Sequence, residues 1–470
     1  MNLKNISYYL SLFCFPISIL AFINILYSYY FDYFLSLDSY LITLFASLLL
    51  GLFFFFFGKN SSRKITFIDQ LILIVLVYLF AGLLISLPFY LSNLKINLLN
   101  AFFEAISGLT GTGFSIFENI KYLDPTLILW RSSSQWIGGL YFLIFLIIIF
   151  SNNQYNFRLN QLVYTGNMGS FSKSNTKNIL FQIFLVYALL TLLILIILSI
   201  GDVRLFNSLN LSMTIISNGG FLPANSLDQI FLQNNRYILA ITLLIPTINI
   251  FFLFNLFSKR KIINDHQEDL FLMTFIFILS LIMVYSFKNT DISEILINII
   301  SSISNSGISF TKTSSETIIF IFLCVMGGSL ISNSSGIKFI RIYILIKTAA
   351  AEIIRLVRPN NIFNNTIFYS EKKIDNQTIN LSFLIFISFF ISIFILSSIL
   401  VLDNINFESS FKLSILTLTN TTNSSLYGTS GINFANLLNS TKLFLIIFMI
   451  IGKIELISIL ILFKKILFKE

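Results

Sequence analysis

The chain has 470 residues, of which 56% are hydrophobic and 11% are charged, and its formal net charge is +9. Soluble globular domains contain about 25% charged residues, so this composition excludes an ordinary soluble protein and indicates one embedded in lipid. The single histidine, His266, lies in a polar stretch without a nearby cysteine, which predicts a solvated loop residue rather than a zinc ligand. Cys14 and Cys324 each lie in an apolar run, which predicts buried thiols rather than a disulfide.

Ten apolar runs are long enough to span a membrane, since a spanning helix needs about 20 residues. In chain order these runs occupy residues 6–28, 39–58, 67–91, 127–150, 178–200, 236–257, 270–287, 316–347, 380–402 and 440–467. Basic residues cluster in alternate connections, at residues 59–64, 158–177, 259–261, 355–373 and 464–469. By the positive-inside rule these connections are cytoplasmic, which places both termini of this multi-pass chain in the cytoplasm.

Four further segments, which begin at Asn100, Phe206, Ile292 and Phe407, are too short and too polar to cross the bilayer. Each is a mildly amphipathic stretch of about ten to thirteen residues that ends in a cluster of Ser, Thr, Asn or Gly. Apolar runs of this length are often re-entrant, and non-helical backbone at membrane depth occurs only where protein buries it or where it lines a watery cavity. We therefore predict four re-entrant helices, each followed by an extended loop. The alternative, ordinary extracellular loops, does not explain why each cluster follows an apolar stretch too short to span.

Four such helices around one axis would direct their carboxyl ends, which carry partial negative charge, at a common cavity. Glycine in the loop after a helix permits a positive φ and lets backbone carbonyls face inward, where a ring of carbonyls can replace the hydration shell of an ion. The sequence therefore predicts a cation-conducting pore. The predicted ion-binding filter comprises Thr110, Gly111, Thr112, Gly113, Ser217, Asn218, Gly219, Gly220, Ser304, Asn305, Ser306, Gly307, Thr421, Thr422, Asn423 and Ser424.

The eighth apolar run is interrupted in its middle. From residue 327 to residue 336, eight of ten residues are Gly, Ser or Asn, which form helices poorly. In the last run, Lys453 is expected at a similar depth, whereas Glu455 is expected to face away from it. We predict a gating loop beneath the filter; the alternative is a kink packed against neighbouring helices. The predicted gate residues are Gly327, Gly328, Ser329, Asn333, Gly336 and Lys453.

Five motifs along the chain resemble one family of membrane proteins. Residues 103–113 (Phe-Glu-Ala-Ile-Ser-Gly-Leu-Thr-Gly-Thr-Gly) are similar to the first filter of the Trk/Ktr/HKT superfamily, and residues 130–139 are similar to the start of its next helix. Residues 327–341 resemble the broken inner helix of the third repeat, and residues 355–360 resemble its cytoplasmic extension. Residues 452–456 (Gly-Lys-Ile-Glu-Leu) resemble a Gly-Arg-Leu-Glu signature on the last helix. The resemblance is strongest to the Trk-type bacterial potassium uptake membrane subunit.

The resemblance implies an all-α integral membrane protein in which four pseudo-repeated helix–pore-loop–helix units surround a central pore. Two additional transmembrane helices precede these units, as in the Trk type. The expected division is residues 1–60 for the additional helices, then 61–165, 166–262, 263–365 and 366–470 for repeats 1 to 4, the third of which contains the broken inner helix and the cytoplasmic extension.

The resemblance also implies uptake of monovalent cations, above all K⁺, by a homodimer in the inner (plasma) membrane of a bacterium, with a cytosolic nucleotide-binding regulatory subunit. The filter would bind K⁺, and no covalently bound cofactor is expected. Membrane lipid is an expected partner, whereas nucleic acid is not. Passive flow and coupling to H⁺ or Na⁺ are both compatible with the sequence. In our alignment Ser424 takes the place of the fourth filter glycine, so a Na⁺-permeable or poorly selective protein is an alternative.

Two other classes of function compete with the pore as interpretations of the sequence. An ion-coupled secondary transporter of a small solute also uses repeats and broken helices, but such proteins usually carry more charges inside their spans. A membrane-embedded enzyme is not expected, because the chain has one histidine and neither a metal motif nor a nucleophile–base pair, and no catalytic residue is predicted.

Overall fold

The computed structural model describes residues 3–61, 65–150, 176–252, 255, 266–287, 290–310, 317–358, 366, 374–454 and 456–468. Over these residues the secondary structure is helical and contains no β-strand, which confirms the predicted all-α class. Cys14 and Cys324 are buried free thiols, as predicted. Glu455 and the basic residues at 62–64, 158–173 and 259–261 lie outside the described part of the chain.

We number the α-helices of the described residues in chain order. They are α1 (Leu3–Tyr30), α2 (Leu37–Gly58), α3 (Phe67–Leu91), α4 (Leu98–Thr110), α5 (Pro125–Phe150), α6 (Thr176–Ile200), α7 (Leu205–Ile216), α8 (Arg236–Leu244), α9 (Gln267–Ser286), α10 (Ile292–Ser304), α11 (Thr317–Met326), α12 (Phe339–Val357), α13 (Asn376–Leu402), α14 (Phe407–Leu418), α15 (Asn439–Ile454) and α16 (Leu456–Phe468). By length and composition, α1, α2, α3, α6, α9 and α13 can each cross a membrane.

The long helices have the surface chemistry that a lipid environment requires. Phe53 and Phe56 on α2 are 64% and 66% exposed, which would be costly in water but not in hydrocarbon. Buried serine and threonine hydroxyls on α1 and α2 bond to a carbonyl of the preceding turn; for example, Ser28 Oγ donates to Asn24 O at 2.9 Å and Thr43 Oγ1 donates to Ser39 O at 2.7 Å. Every polar group in hydrocarbon must find such an internal partner, so the helices can face lipid without a large penalty.

The four short helices α4, α7, α10 and α14 are 12 or 13 residues long, or about 20 Å at 1.5 Å per residue, which is too short for a ~30 Å hydrocarbon core. Each packs against the helices before and after it and so forms a unit: α3–α5, α6–α8, α9–α12 and α13–α16, called units 1 to 4. Contacts of α5 with α7, α8 with α10, α11 with α14 and α15 with α4 close these units into a ring in the order 1-2-3-4. Helices α1 and α2 pack beside unit 1.

The sixth predicted span is broken, whereas a continuous helix was expected, so this prediction was wrong. Helix α8 ends at Leu244 and a 3₁₀ turn, Ile245–Thr247, follows it. Pro246 in this turn has no N–H to donate and its ring obstructs a continued α-helix. The eighth span is also broken, where predicted: residues 327–338 between α11 and α12 are not helical, and we call them the gate loop.

The two breaks pair with each other across units 2 and 3. Ser329 N donates to Thr247 O at 3.0 Å, and Ile250 N donates to Ile331 O at 3.1 Å. Backbone groups that each helix break leaves free are thus bonded by the other break, which is what allows both to exist at membrane depth.

Candidate cation filter and gate

Each short helix ends in the same backbone motif. A residue in the left-handed conformation follows a Ser or Thr at all four ends: Gly111, Asn218, Asn305 and Asn420 have φ values of 74°, 54°, 65° and 50°. Gly and Asn are the residues that adopt this conformation most readily, and it turns the chain away from the helix axis. The motif sets a common register for four segments, residues 110–113, 217–220, 304–307 and 419–422, which we call the filter tetrapeptides.

Side-chain hydrogen bonds support this register independently. The first and third residues of a tetrapeptide are bonded through their hydroxyls in unit 1 (Thr110–Thr112, 2.7 Å), unit 3 (Ser304–Ser306, 3.0 Å) and unit 4 (Thr419–Thr421, 2.8 Å). Glycine at position 219 has no hydroxyl to do the same in unit 2.

The fourth tetrapeptide differs from the alignment made on sequence. The residue equivalent to Gly113, Gly220 and Gly307 is Thr422, and Ser424 lies two residues beyond it in extended conformation, with φ −132°. The expected placement of Ser424 was therefore wrong, because the end of α14 and the left-handed Asn420 fix the register. Thr419 and Asn420, which were not among the residues predicted for the filter, are the first two residues of the fourth tetrapeptide, and the recurring Ser/Thr followed by Gly/Asn was the signal for them.

The backbone explains why unit 4 tolerates a threonine at this place. Gly113 and Gly307 have φ values of 75° and 64°, which disfavour any side chain, whereas neither Gly220 nor Thr422 has a positive φ. The hydrogen bonds divide the units in the same way. In units 1 and 3 the fourth residue donates six residues back, as Gly113 N does to Ser107 O. In units 2 and 4 the third residue donates five residues back, as Gly219 N does to Thr214 O.

The four tetrapeptides meet. A Cβ atom added to Gly113 would lie 3.2 Å from Gly220 Cα, and one added to Gly307 would lie 2.7 Å from Thr422 O. Asparagine amides link further units, since Asn420 Nδ2 donates to Thr112 Oγ1 at 3.0 Å and Asn305 Nδ2 donates to Thr421 Oγ1 at 3.2 Å. The structure thus brings together the predicted residues from 110 to 113, 217 to 220 and 304 to 307 with Thr421 and Thr422. Asn423 and Ser424 follow on the partly exposed side, where the Thr429 hydroxyl donates to Asn423 Oδ1.

A buried ion pair braces the loop after the first tetrapeptide. Glu104 on α4 and Arg131 on α5 are bonded at 2.9 Å, and both side chains are at most 1% exposed. The second Glu104 oxygen accepts from Ile116 N at 2.9 Å, and the Arg131 guanidinium lies 4.1 Å from the ring centroid of Phe221 in unit 2. Sequence reasoning noted both residues only as part of family-like motifs; their role is to hold units 1 and 2 in place beside the filter.

The gate loop lies directly beneath the tetrapeptides. Asn333 Nδ2 donates to Ile216 O, the last carbonyl of α7, at 2.6 Å, and Lys453 Nζ donates to Asn333 O at 3.2 Å. A Cβ atom added to Gly111 would lie 3.6 Å from Lys453 Nζ, so this ammonium group is adjacent to the first tetrapeptide as well. Asn333 and Lys453, both predicted gate residues, are therefore in contact.

The remaining predicted gate residues form the two ends of the loop. Gly327 and Gly336 have φ values of 65° and 79°, and a Cβ atom added to Gly327 would lie 2.4 Å from Ser335 O, so the ends of the loop approach too closely for side chains. Gly328 is equally confined, since its added Cβ atom would lie 2.5 Å from Thr247 O of unit 2. Ser329 bonds to the same carbonyl through its backbone, as described above.

A second buried lysine, which was not among the predicted gate residues, bonds to carbonyl oxygens of the gate loop. Lys338 Nζ donates to Ser332 O at 3.1 Å, to Ser329 O at 3.4 Å and to Ser334 O. Its backbone has φ 79°, an unfavourable value for a residue with a side chain. The ammonium groups of Lys338 and Lys453 lie 5.7 Å and 4.5 Å from the ring centroid of Phe142.

Two carboxylates at the start of α9 hold the breaks of units 2 and 3. Glu268 Oε1 accepts from Leu330 N in the gate loop at 2.9 Å, and Asp269 Oδ1 accepts from Asn249 N after the unit 2 break at 2.8 Å. Asp269 Oδ2 also lies 3.0 Å from Nδ1 of His266, which is only 5% exposed. The predicted solvated position of His266 was therefore wrong: Asp269, three residues on, provides a buried partner for the ring.

Comparison with known proteins extends over nearly the whole chain, although no family model matches it. An uncharacterized cation transporter of Methanocaldococcus jannaschii is 24% identical over 444 residues, which are 89% of this chain and 88% of that protein. The Trk system potassium uptake protein TrkH of Salmonella typhimurium is 25% identical over 451 residues, which are 91% of this chain and 92% of that protein. The crystal structure of the potassium transporter TrkH from Vibrio parahaemolyticus superposes with a TM-score of 0.84 at 20% identity and covers 98% of both chains. The chain is homologous to the Trk potassium uptake proteins and shares the fold of the solved TrkH structure.

Proposed function

We propose that the protein takes up monovalent cations, chiefly K⁺, through the ring of filter tetrapeptides. The convergence of four helix carboxyl ends on one ring of oxygen atoms carries this proposal, because the partial negative charge of those ends and the oxygens together favour a dehydrated cation. The names of the relatives, potassium uptake proteins and a cation transporter, agree with it. The membrane potential would draw K⁺ inward with about 2.3 kcal/mol per 100 mV.

The gate loop serves as the barrier in this proposal. Asn333 covers a carbonyl at the end of α7, and the ammonium groups of Lys338 and Lys453 add positive charge beneath the filter. A cation leaving the filter would meet both a closed loop and like charge, so conduction requires the loop to move aside. Moving it exchanges the lysine–carbonyl bonds for water, which a regulatory partner could favour or oppose.

Assembly and location belong to the same proposal: a homodimer in the inner (plasma) membrane, both termini in the cytoplasm, and a cytosolic nucleotide-binding regulatory subunit. The distribution of basic residues supports the orientation, and the family resemblance supports the partners. K⁺ is the transported ion here rather than a resident cofactor.

Ion flux into proteoliposomes tests the transport function. We expect the purified protein to take up K⁺ into proteoliposomes. We also expect its expression to let a K⁺-uptake-deficient bacterium grow at low K⁺. Liposomes without protein provide the baseline. Absence of cation flux in both assays, with protein recovered in the membrane, would overturn the proposal, and flux of a neutral solute coupled to an ion would favour a secondary transporter instead.

A poorly selective Na⁺/K⁺ pathway is the second candidate, and Thr422 favours it, because the three equivalent residues are glycines. The side chain reduces the room at this level, which suits a smaller ion. Replacing Thr422→Gly is expected to sharpen K⁺ over Na⁺ discrimination in competition assays. Ser424→Gly, two residues outside the tetrapeptide register, is the control and should leave the permeability ratio unchanged.

A further inference from the structure

The Thr422 side chain reaches across the ring of tetrapeptides. Because the units follow the order 1-2-3-4, unit 4 has units 3 and 1 as neighbours and faces unit 2. A Cβ atom added to Gly220 of unit 2 would lie 1.5 Å from Thr422 Oγ1, and one added to Gly113 of unit 1 would lie 2.2 Å from it. The hydroxyl therefore occupies the space between opposite loops, where a conducted ion must pass.

This hydroxyl is also the one that the tetrapeptides leave unused. Every other Ser or Thr hydroxyl in the four segments takes part in a hydrogen bond to its own helix or to a neighbouring side chain; Ser217 Oγ, for example, donates to Met213 O at 2.9 Å. Thr422 Oγ1 is buried and has no hydrogen-bond partner within the described residues. A buried hydroxyl without a partner is unfavourable, so an oxygen kept in this state within a ring of oxygens points to a ligand.

Carbonyl oxygens lie at the same level as the hydroxyl. The Cβ atom added to Gly220 would lie 2.7 Å from Ser306 O, and Thr422 O is as close to the one added to Gly307. Neutral oxygen atoms from backbone and hydroxyl groups are the ligands that replace water around alkali cations in filters.

We propose that Thr422 Oγ1 is a direct ligand of the transported cation, supplying one oxygen from a side chain in addition to the backbone carbonyls. The proposal rests on the transport function proposed above. The hydroxyl replaces one water of the hydration shell, and loss of that oxygen leaves an incomplete shell that the flanking carbonyls are too constrained to fill.

Two pairs of variants isolate the hydroxyl. Thr422→Val keeps the shape of the side chain and removes only the oxygen, and Thr422→Ser and Thr422→Ala differ from each other in the same way. We expect K⁺ flux in proteoliposomes to fall about tenfold or more in the Val and Ala variants, as for loss of one good ligand, and to stay near wild type in the Ser variant. Thr417→Val is the matched control, since Thr417 is on α14 and its hydroxyl donates to Leu413 O within the helix.

A binding measurement gives a second readout that does not depend on conduction. A bound ion stabilises the folded protein, so K⁺ in place of choline should raise the Tm of purified wild type and of the Ser and Thr417→Val variants. The rise should be lost or much reduced in the Val and Ala variants at Thr422. Wild-type flux and K⁺ stabilisation that persist unchanged in both of these variants would overturn the ligand assignment and leave the transport function standing. Absence of flux in wild type would instead overturn the transport function.

Discussion

Lys453 places a positive charge next to the proposed path of the cation. Its ammonium group is bonded to Asn333 O of the gate loop and adjoins Gly111 of the first tetrapeptide. It is 2% exposed, and a buried charge of this kind is retained when it has a function to perform. In the proposed function, both the bond to the loop and the charge itself oppose the passage of cations.

We expect Lys453→Ala to raise basal K⁺ flux by about tenfold, which corresponds to lowering the barrier by ~1.4 kcal/mol. The preference for K⁺ over Na⁺ should not change, because the proposed function assigns this preference to the tetrapeptides. Proteoliposome flux without any regulatory partner measures the effect. The Lys453→Arg variant should keep the low basal flux of wild type. Lys412→Ala removes a lysine that is paired with the exposed Glu408, away from the gate loop, and is the control for loss of charge. Equal flux in wild type and Lys453→Ala would remove Lys453 from the gate.

The pair Glu104 and Arg131 shows how a buried charge can serve position rather than gating. Removing one partner leaves the other buried and unpaired, which costs about 3–5 kcal/mol. Glu104→Ala should therefore lower the Tm of the detergent-solubilised protein strongly and reduce K⁺ flux, since Ile116 N after the first tetrapeptide loses its acceptor too. Glu408→Ala removes an exposed carboxylate paired to Lys412 and should leave the Tm unchanged. An unaltered Tm in Glu104→Ala would show that the pair does not brace the loop.

The sequence placed the converging tetrapeptides at the right residues in units 1 to 3 and two residues too far along the chain in unit 4. Glycine marks the fourth position of the tetrapeptide in units 1 to 3, whereas the stretch from Thr419 to Ser425 offers only polar residues of similar size. What fixes the register is the left-handed Asn420, and a backbone angle leaves little trace in composition. Lys338 was missed for a related reason, because its role depends on carbonyls that the folded loop brings around it.

Among the elements, the gate loop is held by groups from three directions. Lys338 bonds its carbonyls, Glu268 accepts from Leu330 N, and the unit 2 break pairs with Ser329 and Ile331. Its length lets it fill the space beneath the tetrapeptides, so a shorter loop cannot make all of these contacts.

Deleting Ser334 and Ser335 is expected to raise basal K⁺ flux several-fold, because Lys338 loses its acceptors in this part of the loop and the barrier thins. The K⁺/Na⁺ preference should stay as in wild type. Deleting Ser430 and Gly431 shortens an exposed loop away from the gate loop by the same amount and is the control. Flux that is unchanged or lower in the gate-loop variant, at normal expression, would contradict the assignment of this loop as the barrier.

The break in the sixth span is harder to predict from its own residues than the break in the eighth span. Pro246 lies inside an apolar run, and membrane helices accept proline when neighbours bond the freed groups. Here the neighbour is the gate loop of another unit, so the break depends on a contact between residues about 80 positions apart. The eighth span, by contrast, shows its break in composition, because so many of its residues between 327 and 336 are poor helix formers.

For the whole molecule, the apolar runs predicted the long helices within a few residues, since the thickness of the hydrocarbon core sets the length of a span. The sequence does not predict the order of the units around the axis or the contacts that hold the gate loop, because both follow from packing between distant parts of the chain. The division into repeats at residues 61, 166, 263 and 366 stays a prediction.

The ring of tetrapeptides has a lower symmetry than its four repeats suggest. Units 1 and 3 share one pattern of backbone bonds and a positive φ at the fourth residue, and units 2 and 4 share the other. Units that face each other are thus alike, and neighbours differ. A spherical ion in this ring would therefore meet oxygen atoms arranged with two-fold rather than four-fold symmetry, and the hydroxyl of Thr422 lies on the diagonal between units 2 and 4.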